Sequence, residues 1–303
     1  MAFRSGFVSI IGRPNAGKST LLNALVGEKV AIVTEKPQTT RTRIQGMLNV
    51  KAGRGRPAGQ IVFIDTPGVH RPDSRLNRKM MQEIHAALES RDIILLMVDS
   101  TERFGLADQH VLELVKRAGG TTFLLLNKID GLPKEKLLPL IDHYSKLHEF
   151  QEIIPISATK KQGLDTLLDK IIRALPEGPR YFPEDQFTDV TEKFIAAEIV
   201  REKILLKTGK ELPYATAVVV ERFEDTEKLI RIAAAIYCER AGQKGILIGK
   251  GGQKLKEIGT AARMELEVLL GKKVFLELFV KVKPGWRESA AFVEELDWRK
   301  QLQ

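Results

Sequence analysis

A short glycine-containing loop near the N-terminus holds the first residues that could do chemistry. Residues 12–19, GRPNAGKS, fit the pattern G-x-x-x-x-G-K-[ST], which binds nucleotide phosphates. The segment follows an apolar run and precedes a helical pattern, as this loop requires. Its backbone N–H groups would converge on a triphosphate at the positive end of a helix. The predicted nucleotide-binding residues are Gly12, Arg13, Pro14, Asn15, Ala16, Gly17, Lys18, Ser19 and Thr20.

Two side chains of this loop have predicted roles of their own. Lys18 would reach the β- and γ-phosphates, and the Ser19 hydroxyl would bind Mg²⁺. The alternative is a glycine-containing turn with a chance lysine, which the strand–loop–helix context disfavours.

A second motif, Asp65-Thr66-Pro67-Gly68, stands at the end of an apolar run that is typical of a buried strand. Asp65 can hold Mg²⁺, mostly through water, and the Gly68 N–H can sense the γ-phosphate. Together with the phosphate loop, this motif predicts a nucleoside triphosphate with its magnesium ion.

Two later motifs indicate that the base is guanine. Asn127-Lys128-Ile129-Asp130 ends another apolar run, and a carboxylate at Asp130 can accept from guanine N1 and N2, a donor pair that adenine lacks. Ser157-Ala158-Thr159 follows the last predicted strand of this half, where the Ala158 N–H could donate to guanine O6. The order of the motifs therefore predicts GTP and GDP as ligands.

A different motif lies near the C-terminus, where Gly249–Gly252 reads G-x-x-G between an apolar segment and a helical pattern. Glycines let the backbone approach a nucleic-acid backbone closely, and a loop of this kind clamps about four nucleotides. The alternative is a simple helix-start turn, but nearby lysines favour RNA. The predicted RNA-binding residues are Ile246, Ile248, Gly249, Lys250, Gly251, Gly252, Lys254, Leu255 and Arg263. Ordinary core packing is the alternative for the three apolar ones.

These motifs require elements that hold them in place. Apolar runs in the first half predict buried parallel strands at Phe7–Ile11, Ile61–Asp65, Ile93–Asp99, Thr122–Leu126 and Ile153–Ile156. Amphipathic patterns between them predict helices at Ser19–Leu25, Asn77–Leu88, Gln109–Ala118, Lys136–Tyr144 and Leu164–Ala174. The alternation predicts an α/β domain with a doubly wound, mainly parallel sheet.

The pattern changes after Pro176-Glu177-Gly178-Pro179, which cannot continue a helix or a strand. The second half predicts a smaller α+β domain with helices at Val190–Leu206, Gly252–Leu269 and Glu288–Trp298, and strands at Thr216–Phe223, Leu229–Cys238 and Val274–Val282. We therefore expect a nucleotide-binding domain over residues 1–176, a linker over 177–188 and an RNA-binding domain over 189–303.

Composition excludes several classes of protein. The chain has 303 residues, one cysteine and a net charge of +9, so a disulfide framework and a multi-cysteine zinc site are excluded. No apolar run approaches the roughly 18–20 residues that span a bilayer, which predicts a cytoplasmic location. The basic excess is uneven: residues 240–283 carry 10 Lys and Arg against 4 Asp and Glu, and residues 1–178 carry 26 against 19. This distribution predicts two basic contacts with RNA.

With these motifs in this order, the chain resembles the translation-factor class of GTPases, and more narrowly the Era/TrmE-like branch whose members carry a C-terminal type II KH domain. The resemblance extends over essentially the whole chain and implies a P-loop GTPase domain followed by a KH domain. It matches Pro37-Gln38-Thr39-Thr40-Arg41 to the first switch and implies Thr40 as the Mg²⁺-binding threonine, with Thr39 as the alternative. The predicted metal ligands are thus Ser19, Thr40 and Asp65.

The resemblance also bears on hydrolysis. Ras-like enzymes place a glutamine directly after the D-x-x-G motif to orient the attacking water, but this chain has Val69 there. An asparagine at the position of Asn15 implies a site for K⁺, although Asn15 could equally just fit the loop. Lys18, Thr40, Gly68 and Asn15 are the predicted catalytic residues.

The resemblance also implies a cellular function. The protein would be a monomeric, GTP-operated switch that binds the 3′ end of the small-subunit ribosomal RNA and assists assembly of the pre-30S particle. One alternative is an RNA-processing or RNA-modifying enzyme with GTP as cofactor. Another is a purely signalling or membrane-recruited GTPase. For the switch itself, peripheral association with the inner face of the cell membrane is a second expected location beside the cytoplasm. RNA crosslinking to Gly249–Gly252 would exclude the signalling alternative.

Overall fold

A computed structural model describes residues 2–53, 55–69, 73–209 and 212–299. The chain divides into two compact units. The first combines Met1–Ala31, Thr40–Arg71 and Met80–Asp189, and the second combines Ile32–Thr39, Pro72–Lys79 and Val190–Gln303. Two short stretches of the N-terminal half, one of them in the predicted first switch, thus group with the C-terminal unit.

The first unit is built on a six-stranded sheet with the order β2-β3-β1-β4-β5-β6. All neighbouring strands are parallel except β2, which pairs antiparallel with β3. The strands are β1 (Arg4–Gly12), β2 (Ile44–Val50), β3 (Gly59–Asp65), β4 (Ile93–Asp99), β5 (Thr121–Asn127) and β6 (Glu152–Pro155). The central strands are almost continuously buried, which is why their sequences are uninterrupted apolar runs.

Five helices alternate with these strands, as the sequence predicts. They are α1 (Lys18–Val26), α2 (Arg75–Glu89), α3 (Leu106–Ala118), α4 (Leu137–Ser145) and α5 (Leu164–Ala174). In α5 the buried residues Leu164, Leu167, Ile171 and Ile172 recur at helical spacing. Because β1, β3 and β5 are parallel, their carboxyl ends lie at one edge of the sheet, and the nucleotide motifs follow these ends.

Residues 177–189 lie along the β2 side of the first unit. The Met47 N–H donates to Phe187 O at 2.9 Å, and Thr188 forms a bridge with Gly46. The buried Gln60 carboxamide accepts from the backbone of Tyr181 and Phe182 at 2.9 and 3.0 Å. The segment expected to be a linker is therefore attached to the sheet over most of its length.

The second unit has a three-stranded sheet with the order β7-β8-β9, in which β7 and β8 are antiparallel and β8 and β9 are parallel. The strands are β7 (Thr216–Asp225), β8 (Leu229–Cys238) and β9 (Lys273–Val282). The helices of this region are α6 (Glu192–Lys207), α7 (Leu212–Ala215), α8 (Ala241–Ile248), α9 (Gln253–Leu270) and α10 (Ala290–Glu295).

One core joins these helices to the sheet. Helix α6 contributes Ile199, Val200 and Ile204, and α9 contributes Ile258 and Leu266, all fully buried. The amphipathic face of α6 is thus covered within its own unit. None of the helices in the described ranges is long and apolar enough to cross a membrane.

Candidate nucleotide and RNA sites

The phosphate loop joins the end of β1 to the start of α1. Lys18 is 6% exposed, and its ammonium donates to Gly12 O at 3.3 Å and to Arg13 O at 3.0 Å. Burial lowers the pKa of Lys18 to about 8, an effect that the charge of Asp65 partly offsets. The cation is therefore held under the loop, where the phosphates of a nucleotide would lie.

Three side-chain oxygens meet beside Lys18. Ser19 Oγ lies 2.8 Å from Thr40 Oγ1 and donates to Asp65 Oδ2 at 2.6 Å. Thr40 Oγ1 donates to the same carboxylate oxygen at 3.3 Å. Burial raises the pKa of Asp65, while Lys18, Ser19, Thr40 and the Thr66 N–H oppose that rise.

This oxygen cluster fits a magnesium ion. Mg²⁺ prefers hard oxygen ligands and usually keeps several waters beside one or two carboxylates and substrate phosphates. The second carboxylate oxygen, Asp65 Oδ1, is buried and has no hydrogen-bond partner within the described part of the chain. A buried carboxylate oxygen of this kind is costly unless an ion or water satisfies it.

The structure separates the two candidate threonines of the first switch. Thr40 contacts Ser19 and Asp65, whereas Thr39 Oγ1 lies 2.7 Å from Thr34 Oγ1 and donates to Lys36 O at 2.6 Å. Of the two hydroxyls, that of Thr40 lies with the oxygens of Ser19 and Asp65.

Gly68 lies directly against the phosphate loop. A Cβ at this position would be 2.8 Å from the backbone nitrogen of Pro14, so only glycine fits without movement of the loop. The next residue, Val69, is 9% exposed and packs in the core with Ile84 and Leu88. The Val69 side chain thus lies in the position of the Ras-type glutamine without any group that could orient water.

The guanine motifs come together through Asn127 at the end of β5. Its Nδ2 donates to Ala16 O at 2.8 Å, and its Oδ1 accepts from the Ala158 N–H at 3.0 Å. The Ala158 amide, expected to donate to guanine O6, thus donates to Asn127 here. Asp130 is exposed in the turn Ile129–Gly131. Asn127 therefore ties the phosphate loop to both guanine loops, a structural role that its motif alone does not reveal.

The sequence analysis did not predict three ion pairs at this site, one made by Lys128 and two by Arg13. Lys128, in a left-handed conformation with φ of 64°, donates to Asp99 at the end of β4. Arg13 donates to Asp108 at 2.8 Å and forms a longer contact of 3.4 Å with Glu102. The Arg13 side chain is thus directed to α3, so its predicted nucleotide contact could come only from the backbone. Pairs between distant elements leave no periodic signal in a sequence.

In the second unit, the G-x-x-G loop connects α8 to α9. Gly249, Gly251 and Gly252 have φ values of 72°, 59° and 79°, the left-handed region that favours glycine. A Cβ on Gly249 would lie 2.6 Å from the Lys254 Cβ, whereas one on Gly251 would meet nothing within 4 Å. The loop therefore presents an open backbone at the N-terminus of an 18-residue helix, where anions bind well.

The other predicted RNA-binding residues differ in solvent exposure and in the charged partners of their side chains. Lys250 is exposed on the loop and Ile246 is 58% exposed on α8, whereas Ile248 and Leu255 are half-buried and Leu255 packs against the core. Lys254 pairs with Glu257 at 2.9 Å, and Arg263 with Glu267 at 2.9 Å, so their charges are partly neutralised within α9.

The one cysteine of the sequence, Cys238, belongs to the core of the second unit and to neither site. Cys238 is fully buried, and burial raises the pKa of its thiol, so it behaves as a small apolar residue rather than a nucleophile. His70 and Arg71, which directly follow Val69 in the sequence, lie outside the described residues. Within the described ranges, no group of three or more His, Cys, Asp or Glu side chains could hold a metal ion.

Known proteins match nearly the whole chain. Residues 7–128 match the family of 50S ribosome-binding GTPases, and residues 211–287 match the KH domain family. GTPase Era of Syntrophus aciditrophicus is 50% identical over 298 residues, 98% of this chain and 95% of that protein. The chain belongs to the Era family of GTPases.

Solved Era structures share the fold of both units. An Aquifex aeolicus Era variant bound to GDP and AlF4⁻ superposes with a TM-score of 0.92 at 41% identity, over 98% of this chain and 99% of that one. Era in complex with MgGDPNP and nucleotides 1506–1542 of 16S ribosomal RNA gives 0.93 at 41% identity, with the same coverage.

Membership in the Era family confirms several predictions. The chain is a GTPase with a P-loop domain on a mainly parallel sheet and a C-terminal KH domain, and its ligands are GTP, GDP and Mg²⁺. The sequence prediction missed α8, expected only as an apolar segment, and the antiparallel strand β2. The final helix is also shorter than expected, since Trp286–Glu288 forms a separate turn before α10.

Proposed function

We propose that this protein is a GTP-operated switch that binds the 3′ end of the small-subunit ribosomal RNA and assists assembly of the small ribosomal subunit. The observation that carries the proposal is the open glycine loop between α8 and α9, set within the concentrated basic stretch of an Era-family chain. A relative that covers both units binds 16S ribosomal RNA. The family description that names the 50S subunit covers residues 7–128 only, so it does not bear on the RNA loop.

The nucleotide site would act by positioning and by charge. The Lys18 ammonium and the loop amides face the phosphates and stabilise the negative charge that develops during in-line attack by water. Ser19, Thr40 and Asp65 would hold Mg²⁺, which supplies positive charge to the phosphate oxygens. Because Val69 cannot orient water, we infer slow intrinsic hydrolysis, as suits a switch.

Guanine would be recognised by the Asp130 carboxylate, which is exposed and accepts from N1 and N2. Asn127 holds the phosphate loop and the Ser157–Thr159 loop in register for this contact. An Asn15-bound K⁺ would add positive charge near the phosphates. The proposal also includes the domain boundaries, with a GTPase domain over residues 1–176, a linker over 177–188 and an RNA-binding domain over 189–303. The protein is proposed to act as a monomer.

RNA would be held by the glycine loop and by packing against Ile246, with sequence read at base edges rather than by stacking. The pre-30S particle is the proposed partner, and the cytoplasm is the proposed location. Peripheral membrane association has no supporting contact here, because the amphipathic face of α6 is buried in its own unit. An RNA-modifying activity is not favoured either, because the thiol of Cys238 is buried.

A double change in the loop tests RNA binding. The Lys250→Asp/Gly251→Asp variant should abolish binding of a single-stranded RNA from the 3′ end of small-subunit ribosomal RNA, measured by fluorescence anisotropy, and leave GTP affinity unchanged. Asp is tolerated at Gly251 because Asp adopts the left-handed region more readily than most residues and a Cβ there meets no neighbour.

The matched control is Lys272→Asp/Gly271→Asp at the other end of α9. Gly271 has a φ of 64° and a ψ of 13°, close to the 59° and 22° of Gly251, its Cβ position is open, and the change in net charge is the same. The control should retain RNA binding. Normal RNA binding by the loop variant, or equal losses in both variants, would refute the clamp.

A further inference from the structure

Residues 32–39, which include Pro37–Thr39 of the predicted first switch, are held by helix α6 of the same compact unit. The Arg201 guanidinium donates to Gln38 O at 3.3 Å and to Thr39 O. The next residue of α6, Glu202, accepts a hydrogen bond from the Val33 N–H at 3.0 Å. Two adjacent α6 residues thus bind the backbone at both ends of this segment.

The contact is buried and charged, which makes it specific. Arg201 is 2% exposed and Glu202 is 3% exposed. Glu198 on the same helix accepts from Arg201 Nε at 2.7 Å and also from its Nη2, so the guanidinium is held in one orientation while its remaining donors reach the switch backbone. Main-chain carbonyls can satisfy these buried donors only when residues 38 and 39 adopt this conformation.

The same helix is joined by a second ion-pair network to α9, the helix that follows the glycine loop. Lys203 donates to Glu202 at 2.7 Å and pairs with Glu265 on α9. Burial alone would lower the pKa of Lys203, but the hydrogen bonds and charges of Glu202 and Glu265 outweigh it. The pKa of Lys203 is therefore higher than that of an ordinary lysine. Helix α9 begins at Gln253, directly after the glycine loop, so these contacts extend from residue 33 to the helix that carries the RNA site.

The segment also leads directly to the oxygen cluster formed by Ser19, Thr40 and Asp65. Thr40, whose hydroxyl contacts Ser19 and Asp65, is the next residue after Thr39. A change at Thr40 when the nucleotide changes must therefore move the Thr39 carbonyl or strain its bond to Arg201.

We propose that Arg201 and Glu202 are positioning residues that couple the nucleotide-dependent conformation of residues 32–39 to the RNA loop at Gly249–Gly252. The inference rests on the proposed function as an RNA-binding switch. The ordered segment is the two-state element: the nucleotide that places Thr40 on the metal favours the Arg201 contact, and RNA that holds α9 favours the same arrangement.

The test measures how strongly bound RNA changes the affinity for GDPNP, with Mg²⁺ and the same 3′-terminal RNA. In the wild-type chain the ratio of the two GDPNP dissociation constants should be at least about fivefold, the lower end of ordinary coupling. The Arg201→Met/Glu198→Gln variant removes the guanidinium together with the charge that it neutralises, so no buried charge is left alone. Its ratio should fall to within about twofold of unity, with each separate affinity changed by less than about threefold.

The control is Arg287→Met/Glu239→Gln, which removes another two-bond Arg–Glu pair of the same unit, at 3.1 and 2.8 Å. It should keep the wild-type ratio. If the Arg201 variant does not fold, Arg201→Lys serves instead. Lysine keeps the charge but has three donors on a single nitrogen, so it cannot reproduce the four bonds that the planar guanidinium makes to Glu198, Gln38 and Thr39, and the ratio should still fall.

The outcomes separate the inference from the function on which it rests. A wild-type ratio near one would overturn both. A wild-type ratio above about fivefold that persists in a folded Arg201 variant would overturn the role of Arg201 and leave the switch intact. Loss of coupling in the control as well would mean that the effect is general to the unit, which also contradicts the inference.

Discussion

Thr39 and Thr40 are adjacent in the sequence, but their hydroxyl groups have different partners. The Thr40 hydroxyl contacts the oxygens of Ser19 and Asp65, and the Thr39 hydroxyl contacts Thr34 and Lys36. At the scale of single residues, this difference predicts that Thr40, and not Thr39, affects magnesium binding.

Thr40→Val removes the hydroxyl and keeps the shape of the side chain. Because hydrogen bonds or ligands to charged groups contribute about 1.5–3 kcal/mol, we expect the Mg²⁺ concentration for half-maximal GTP hydrolysis to rise about tenfold or more. Thr39→Val is the matched control and should change it by less than about threefold. A larger effect of the Thr39 change would reverse the assignment.

Asn15 tests the potassium proposal at the same scale. It has a φ of 65°, a conformation that glycine adopts without strain, so Asn15→Gly deletes the side chain and keeps the loop. We expect wild-type turnover to fall when KCl is replaced by NaCl, and the Gly variant to be slow in both salts. If the wild-type chain hydrolyses GTP equally fast in both salts, Asn15 only fits the loop.

At the scale of elements, the RNA site depends on how α8 meets α9. The loop between them has three glycines with positive φ, but only Gly249 is also crowded, with its Cβ position against Lys254. The helix that follows is long, and the N–H groups of its first turn are suited to bind a phosphate.

Gly249→Ala should therefore force the loop to shift and weaken RNA binding about tenfold or more, as seen in fluorescence anisotropy. Gly271→Ala, at the other end of α9, is the control, since Gly271 has a φ of 64° and open space. It should lower the free energy of unfolding by about 1 kcal/mol and leave RNA affinity nearly unchanged. Equal RNA affinities in the two variants would contradict the account of the loop.

The strands and helices also show which parts of the fold can be predicted from the sequence. Uninterrupted apolar runs predict the buried parallel strands, and their shared edge brings Ser19 and Asp65 together. Strand β2 escaped because Ile44–Val50 is an antiparallel edge strand with mixed polarity and a glycine. Helix α8 escaped because its eight residues include two glycines and end in an apolar triplet that reads like a strand. Buried Arg201 escaped because a charged residue on an amphipathic helix normally faces solvent, and only tertiary contacts reveal its partners.

At the scale of the whole molecule, the net charge of +9 has two sources. The stretch 240–283 is strongly basic around the glycine loop, although Lys254 and Arg263 are partly neutralised within α9. The first 178 residues carry the larger excess, with several cations around and after the first switch. The charge pattern therefore favours one RNA contact that reads sequence and another that positions the phosphate backbone.

The central claim is that one chain makes GTP binding and RNA binding depend on each other. The most direct measurement is a pair of titrations at fixed salt: the 3′-terminal RNA into the GDPNP-bound and the GDP-bound protein, and GDPNP into the protein with and without RNA. RNA should bind the GDPNP form at least about fivefold more tightly than the GDP form, and RNA should tighten GDPNP binding. Equal RNA affinities in both nucleotide states, together with a GDPNP affinity that RNA leaves unchanged, would contradict the account and leave two independent domains on one chain.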